Sequence, residues 1–409
     1  MAYSKQQIKN EYSQISPTDL EIVTIRDLEG IESIRSVWEE MQCKEPFPVP
    51  NADINRYIAL IEAIDDGMLP HVILIKCNGN PVAMVIGRIE SHRLNLRLGY
   101  KTLFASTLRC LSVAYGGIIG QPSSELCAVI MDELMNVLQR READVVFFNH
   151  LRTDSKIYKL YKTTASFWRR NQSALAEPHW QTNIADTVKE FYSNVPNSRK
   201  RRWRRDIRQL EKISPSEIKV VCYRHLSDIA HLSNVAYQIE KETYKKYLGS
   251  GFISSPLNRV LLEQAARDGW LRAYVLYAGD QPCAFQFDVQ YEGAQFTEYG
   301  SFDQKWSHGS PGIVLLIKVI EELCKERDIC RIDFGFGDAL YKRKFGTDNW
   351  LEECVYIYAR RLRPTLINMI MSMNLVFSLL RRAVIRLSLD GWIKRNWRKM
   401  MCKKQEKRR

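Results

Sequence analysis

No two of the ten cysteines stand at Cys-x-x-Cys spacing, and none joins histidines in a cluster of metal-ligand spacing. The sequence therefore offers no zinc ribbon, no thioredoxin-like redox pair and no metal centre, and its cysteines, scattered singly from Cys43 to Cys402, read as reduced. The first residues, MAYSKQQIKNEYSQ, lack the apolar core of a secretory signal, so the expected compartment is the cytoplasm, where thiols stay reduced. Long apolar runs are also scarce: Leu366 to Leu380 spans 15 residues, short of the ~20 that a membrane-spanning helix needs. Excess charge is missing from the body. Residues 361–409 hold 14 Lys and Arg against Asp390 and Glu406, a net +12 of the chain's +13, which leaves +1 for the rest. A near-neutral body argues against nucleic acid as the partner.

What is present fits a folded α/β protein. At 409 residues the chain exceeds what one core usually supports, and 45% hydrophobic with 26% charged residues is ordinary globular usage. His71 to Cys77 and Val82 to Ile89 read as strands joined by Asn78-Gly79-Asn80-Pro81, a turn that supplies positive and fixed φ. Ser123 to Arg140 has helical spacing, and Asp144 to Phe148 is a buried-type strand. The second half repeats this order: strands at Leu271 to Tyr277, Cys283 to Val289 and Gln295 to Ser301, a helix from Ile313 to Glu326, then a strand from Cys330 to Phe334. Gly79 to Ala83 resembles Gly279 to Ala284, Asp144 to Phe148 resembles Cys330 to Phe334, and Tyr158-Lys159 resembles Tyr341-Lys342. These three matches in one order predict an internal duplication. Between the halves, Asn197 to Arg205 opens a basic helix that Ser198 could cap, continuing through Ile207, Leu210 and Ile213.

Three stretches carry a family resemblance. They are the basic helix opening at Ser198 to Arg205, the turn Ser307-His308-Gly309-Ser310-Pro311-Gly312, and Asp333-Phe334-Gly335-Phe336-Gly337-Asp338-Ala339-Leu340-Tyr341-Lys342 followed by Phe345-Gly346. In this order they resemble the GNAT acyltransferases, and in particular the bacterial cellulose-biosynthesis (CelD-type) branch, which is related to the Fem-type peptidoglycan transferases. The resemblance covers residues 190 to 360 well and 20 to 170 weakly. It implies two tandem GNAT-like lobes, each a mixed, mostly antiparallel sheet flanked by helices: a degenerate lobe at 1–185 and an acyltransferase lobe at 186–362. A basic amphipathic tail follows at 363–409.

The turn has the chemistry of an anion site, because a helix beginning near Ile313 would aim its free N–H groups and positive dipole end at it. The resemblance assigns Gly309, Ser310, Gly312 and Ile313 to the pyrophosphate of an acyl-CoA donor; a Pro-Gly helix entry with no ligand is the other reading. Tyr341 matches the family tyrosine that protonates the leaving thiolate. Asp338, beyond the carboxyl end of a strand, is a candidate general base or substrate anchor, and Glu298 is a further base candidate. Asp333, Lys342, Arg201 and Arg205 are candidates for substrate binding. Turn capping is the alternative for either aspartate, and a solvated strand position for Glu298. In the first copy, Asn149-His150-Leu151-Arg152 replaces the Gly-x-Gly-Asp segment, so this lobe is expected to shape the acceptor cleft. His150 and His308 could each act as acid or base.

The expected function is transfer of an acetyl or longer acyl group from acyl-CoA to an amine or hydroxyl, on a small molecule or a saccharide in polysaccharide biosynthesis, with no metal. The alternatives are a non-catalytic accessory protein at a membrane surface, and a Fem-type transferase that uses aminoacyl-tRNA. The tail could lie on an anionic membrane as an interfacial helix or pack on the body.

Overall fold

The computed structural model describes residues 20–64, 67–98, 101–171, 175–240, 252 and 256–373. Its strands are β1 (Leu20–Ile25), β2 (Leu69–Cys77), β3 (Asn80–Leu98), β4 (Lys101–Ile119), β5 (Val145–Arg152), β6 (Glu177–Asn183), β7 (Ile218–Tyr223), β8 (Leu271–Ala278), β9 (Gln281–Tyr291), β10 (Ala294–Phe302), β11 (Arg331–Phe336) and β12 (Asp348–Tyr358). All twelve form one sheet in the order β1-β2-β3-β4-β5-β12-β6-β11-β10-β9-β8-β7.

Read inward from its two edges, the sheet shows one plan twice. β1 to β4 and β7 to β10 are antiparallel, and the fifth strand of each half, β5 or β11, joins its neighbour in parallel. A parallel neighbour requires a crossover, and each half supplies a helix there: Ser124–Gln139 before β5 and Pro311–Leu323 before β11. The hairpin turns have the expected chemistry. Asn78 and Gly79 both have positive φ (50° and 79°), as do Glu292 and Gly293 (44° and 74°), the geometry that matches the twist of the flanking strands.

Two strands cross between the halves. β6, which follows the first half in sequence, pairs with β11, and β12, at the end of the second half, pairs with β5; β6 and β12 then pair with each other. The exchange joins both halves into one sheet and brings the ends of β5, β6, β11 and β12 together at its centre.

Helices cover both faces. Ser124–Gln139 buries Leu126, Ile130, Leu134 and Val137 among Ile73, Ile75, Val85 and Val146. In the second half, Val314, Ile317 and Ile320 of Pro311–Leu323 meet Tyr274, Leu276, Ala284 and Ile332, together with Trp203 and Leu210 of the basic helix. Separate clusters lie on the opposite faces. Central strands covered on both sides explain the unbroken apolar runs Val72–Ile75 and Val82–Ile86.

The basic helix spans Asn197–Ile213, two residues earlier than a Ser198 cap allows. Pro196 holds the cap position with no side-chain bond, and its carbonyl accepts from the N–H groups of Arg199 and Lys200 (2.9 and 3.0 Å). Of the tail, a helix over residues 362–373 is described. Its Ile367 and Met371 pack with Leu94, Leu108 and Tyr358, and the Asn368 amide donates to the carbonyls of Trp168 and Arg170 (2.9 and 3.0 Å). Leu362, Leu366, Met369 and Met373 stay exposed. The rest of the expected interfacial segment, 374–409, lies outside the described residues. No helix among the described residues is long and apolar enough to cross a membrane.

Candidate active site

β10 and β11 pair only from Ala294–Phe296 to Arg331–Asp333. Beyond that point each strand carries a bulge on its other edge: Glu298 is the extra residue of β10 against β9, and Phe334 that of β11 against β6. A bulge bends its strand and re-aims side chains. The two strands fork here, and a cavity of about 1000 Å³ fills the opening. Its walls are β10 from Phe296 to Phe302, the start of helix Pro311–Leu323, the end of β11, and Tyr341 with Lys342. The first half adds Arg56, Tyr115, Asn149 and His150.

The helix start is sparing in donors. Ser310 holds the cap position in the left-handed region (φ 48°), and its carbonyl accepts from both Ile313 and Val314 (2.9 and 3.1 Å), while Pro311 has no N–H. Among the described residues, this leaves the Gly312 N–H as the first-turn donor without a protein acceptor. Ser310, Gly312 and Ile313 all line the cavity. Gly309 does not. A Cβ there would lie 2.8–2.9 Å from the side chain and Cα of Leu210, so this glycine is required by packing against the basic helix rather than by a ligand. At Gly312 the nearest atom to an added Cβ is Phe302 Cδ1 at 3.6 Å, an ordinary contact. Gly309→Val should therefore destabilise the fold by about 1–3 kcal/mol through overpacking, whereas Gly312→Val should keep the wild-type melting temperature. Thermal denaturation of the pair checks this; equal losses in both would show that the turn is not organised in this way.

Tyr341 is largely buried with its ring edge-on to Phe334 (6.2 Å, 90°), and burial, with Asp288 adding to it, pushes its pKa up to about 12. Its hydroxyl has no hydrogen-bond partner among the described residues. The Lys342 ammonium donates to the carbonyls of Gly335 and Phe336 (3.0 and 2.8 Å); burial pulls its pKa down to about 8 against the opposing charges of Asp333, Glu177 and Asp338. The Glu298 carboxylate is bound by Arg56, which reaches across from helix Ile54–Glu62 of the first half.

Asp338 stands apart. It is paired in bidentate fashion with Arg343 at the surface, which holds its pKa below the usual range, and it is not among the cavity residues. Arg201 and Arg205 also lie outside, on the exposed face of their helix, because Trp203, Asp206 and Leu210 form the inward face. The Trp203 ring is stacked between Phe345 (5.0 Å) and Phe191 (5.9 Å) and is not presented to a ligand.

Asp333 belongs to a network that spacing did not reveal. His179, 2% exposed on β6, bonds through Nε2 to Asp333 Oδ1 (2.7 Å) and through Nδ1 to Glu352 Oε2 (3.0 Å). Its ring stacks on Trp350 (4.6 Å) and Tyr115 (5.6 Å), and Trp350 Nε1 donates to Glu352 (2.6 Å). Burial opposes the imidazolium, but the hydrogen bonds and charges of Asp333 and Glu352 outweigh it and raise the His179 pKa to about 9. Three strands from both halves thus meet at one buried cation between two carboxylates. No group among the described residues is arranged to hold a metal ion.

A forked parallel pair, a helix N-terminus at the fork and a tyrosine lining the same space form one unit. Residues 197–343 match the Acetyltransferase (GNAT) domain. The fold around the matched residues is similar to the crystal structure of FemX, with a TM-score of 0.54 at 10% identity over 86% of this chain and 100% of that one. Looser likeness extends to a tandem GNAT protein from the clavulanic acid biosynthesis pathway (TM-score 0.49, 9% identity, 84% and 99% covered). A conserved protein of unknown function from Bacteroides thetaiotaomicron scores 0.48 at 10% identity, with 80% and 97% covered. No curated protein matches the chain.

Proposed function

We propose that the GNAT domain transfers an acyl group from acyl-CoA to an amine or hydroxyl acceptor by direct attack. The observation that carries this reading is that Gly312 and Tyr341, whose N–H and hydroxyl have no protein partner among the described residues, line one cavity at the strand fork. The donor's pyrophosphate sits at Ser310 and Gly312 on the positive end of the helix, and its thioester lies along β10 in the fork. The acceptor attacks the thioester carbon, the C–S bond breaks, and Tyr341 gives its proton to the departing thiolate. Among the described residues no cysteine lines the cavity, which favours direct transfer over a covalent relay. By its resemblance to the CelD-type branch, the acceptor is a saccharide or another intermediate of polysaccharide assembly.

Calorimetric titration with acetyl-CoA and longer acyl-CoAs tests the donor. Heat of binding is expected for the wild-type protein, and Gly312→Val should weaken it by roughly tenfold or more, the scale of a lost hydrogen bond to a charged group. Absence of heat with every acyl-CoA would favour an aminoacyl-tRNA donor or a non-catalytic role.

A further inference from the structure

The first half has a fork of its own. β4 and β5 pair in parallel only from Cys110–Val113 to Val145–Phe148, and a cavity of about 740 Å³ opens beyond. This cavity shares Tyr115, Asn149, His150 and Asp333 with the donor cavity, so the two meet at these residues.

His150 stands at the junction on strained backbone. Asn149 and His150 together oppose the single residue Cys354 of β12, a bulge at the place where the sister strand β11 has its own. In that sister bulge the left-handed residue is Gly335 (φ 72°), which takes such a φ freely. In the first half the left-handed residue is His150 (φ 57°), one position further along, where the sister strand has Phe336. A histidine held at positive φ keeps backbone strain beside a cavity, a pattern that points to the side chain's use. Its ring stacks on Phe336 of the donor half at 3.9 Å and meets Tyr115 edge-on at 6.2 Å. Neither ring nitrogen has a hydrogen-bond partner among the described residues.

We propose that His150 is the general base of the transfer, taking the proton from an N–H or O–H nucleophile of a polar acceptor that enters through the first-half cavity. This rests on the acyl-CoA reading above. The acceptor's lone pair forms the new bond to the thioester carbon, its proton passes to the His150 imidazole, and the C–S electron pair leaves on sulfur, which receives the Tyr341 proton. The products are an amide or ester and free CoA thiol, and solvent restores both side chains. Burial is the first cause that keeps His150 below the ordinary histidine pKa; His179 and Lys342 act in the same direction and Glu352 opposes them. Tyr115 of β4, Asp333 of β11, Cys354 of β12 and Arg152 of its own strand are further ionisable groups around it. The imidazole is thus neutral and able to accept a proton at neutral pH.

The test uses the full chain with acetyl-CoA as donor, water and ethanolamine as surrogate acceptors, and thiol release as readout. His150→Gly, which relieves the backbone, should fold with an undiminished melting temperature yet lose roughly 10²-fold in rate. Added imidazole should restore much of that loss, and the rise of wild-type kcat with pH, with its midpoint below pH 6.5, should vanish in the variant. His150→Asn, whose side chain tolerates this φ, should fold and be equally slow if the glycine variant does not fold. Wild-type rates in both variants would overturn the proposal, as would a loss that imidazole cannot restore. Thiol release at the buffer rate by donor-saturated wild-type protein would also overturn it. Failure of acetyl-CoA to bind in calorimetry would instead count against the acyl-CoA reading on which it rests.

Discussion

Replacing Tyr341 with phenylalanine is expected to lower kcat by roughly 10²-fold while leaving acetyl-CoA affinity near the wild-type value. The ring keeps its edge-on contact with Phe334, so packing survives. The hydroxyl has no partner among the described residues, so its removal orphans no other group, and stability should stay the same. What is lost is a proton held close to the developing thiolate. Burial keeps that proton in place, with the pKa pushed up to about 12, until negative charge appears on sulfur. Steady-state thiol release at saturating donor, set beside calorimetry, separates the two effects. Full activity in the phenylalanine variant would remove Tyr341 from the chemistry.

The second large effect concerns folding. His179→Ala should destabilise the protein by about 3–5 kcal/mol, because it leaves Asp333 and Glu352 buried without their cation. The wild-type linkage has a definite sign. A histidine whose pKa rises from 6.5 unfolded to about 9 folded contributes its full stabilisation below pH 6.5 and loses it as pH climbs through 9. That shift corresponds to ~3 kcal/mol. Denaturant midpoints between pH 6 and pH 10 should therefore fall on the alkaline side in the wild type, and His179→Gln should flatten this dependence. A wild-type midpoint that does not change over this range would mean that the network is not held together by an imidazolium.

Much of the fold was legible because its signals are local. Asparagine-glycine and glutamate-glycine turns punctuate β2–β3 and β9–β10, and apolar runs mark the strands they join. β6 gave no such signal: its sequence, EPHWQTN, is polar and contains Pro178, so it reads as a loop. It becomes a strand because β11 and β12 provide edges on both sides. The site divides along the same line. Ser310, Gly312, Ile313, Glu298, Asp333, Tyr341 and Lys342 reach one cavity because they lie on adjoining segments of one fork. Gly309 and Gly312 look alike in sequence, and only the arrival of Leu210 from the basic helix separates a packing glycine from an open one. Asp338 sits between glycines as a site residue would, yet Arg343, five residues on, turns it to the surface. His179 and Glu352, 173 residues apart, could be joined only by the strand exchange, which leaves no local trace.

Hydrogen–deuterium exchange with and without acetyl-CoA tests most directly the claim that the donor occupies the second-half fork. β10 loses its β11 partner after Phe296, and Gly312 lines the cavity, so bound donor should slow exchange in peptides covering residues 297–302 and 310–314. Residues 113–121, at the first-half fork, should change little. Protection confined to residues 113–121, with 297–302 and 310–314 unaffected, would place the donor in the first half and contradict the account.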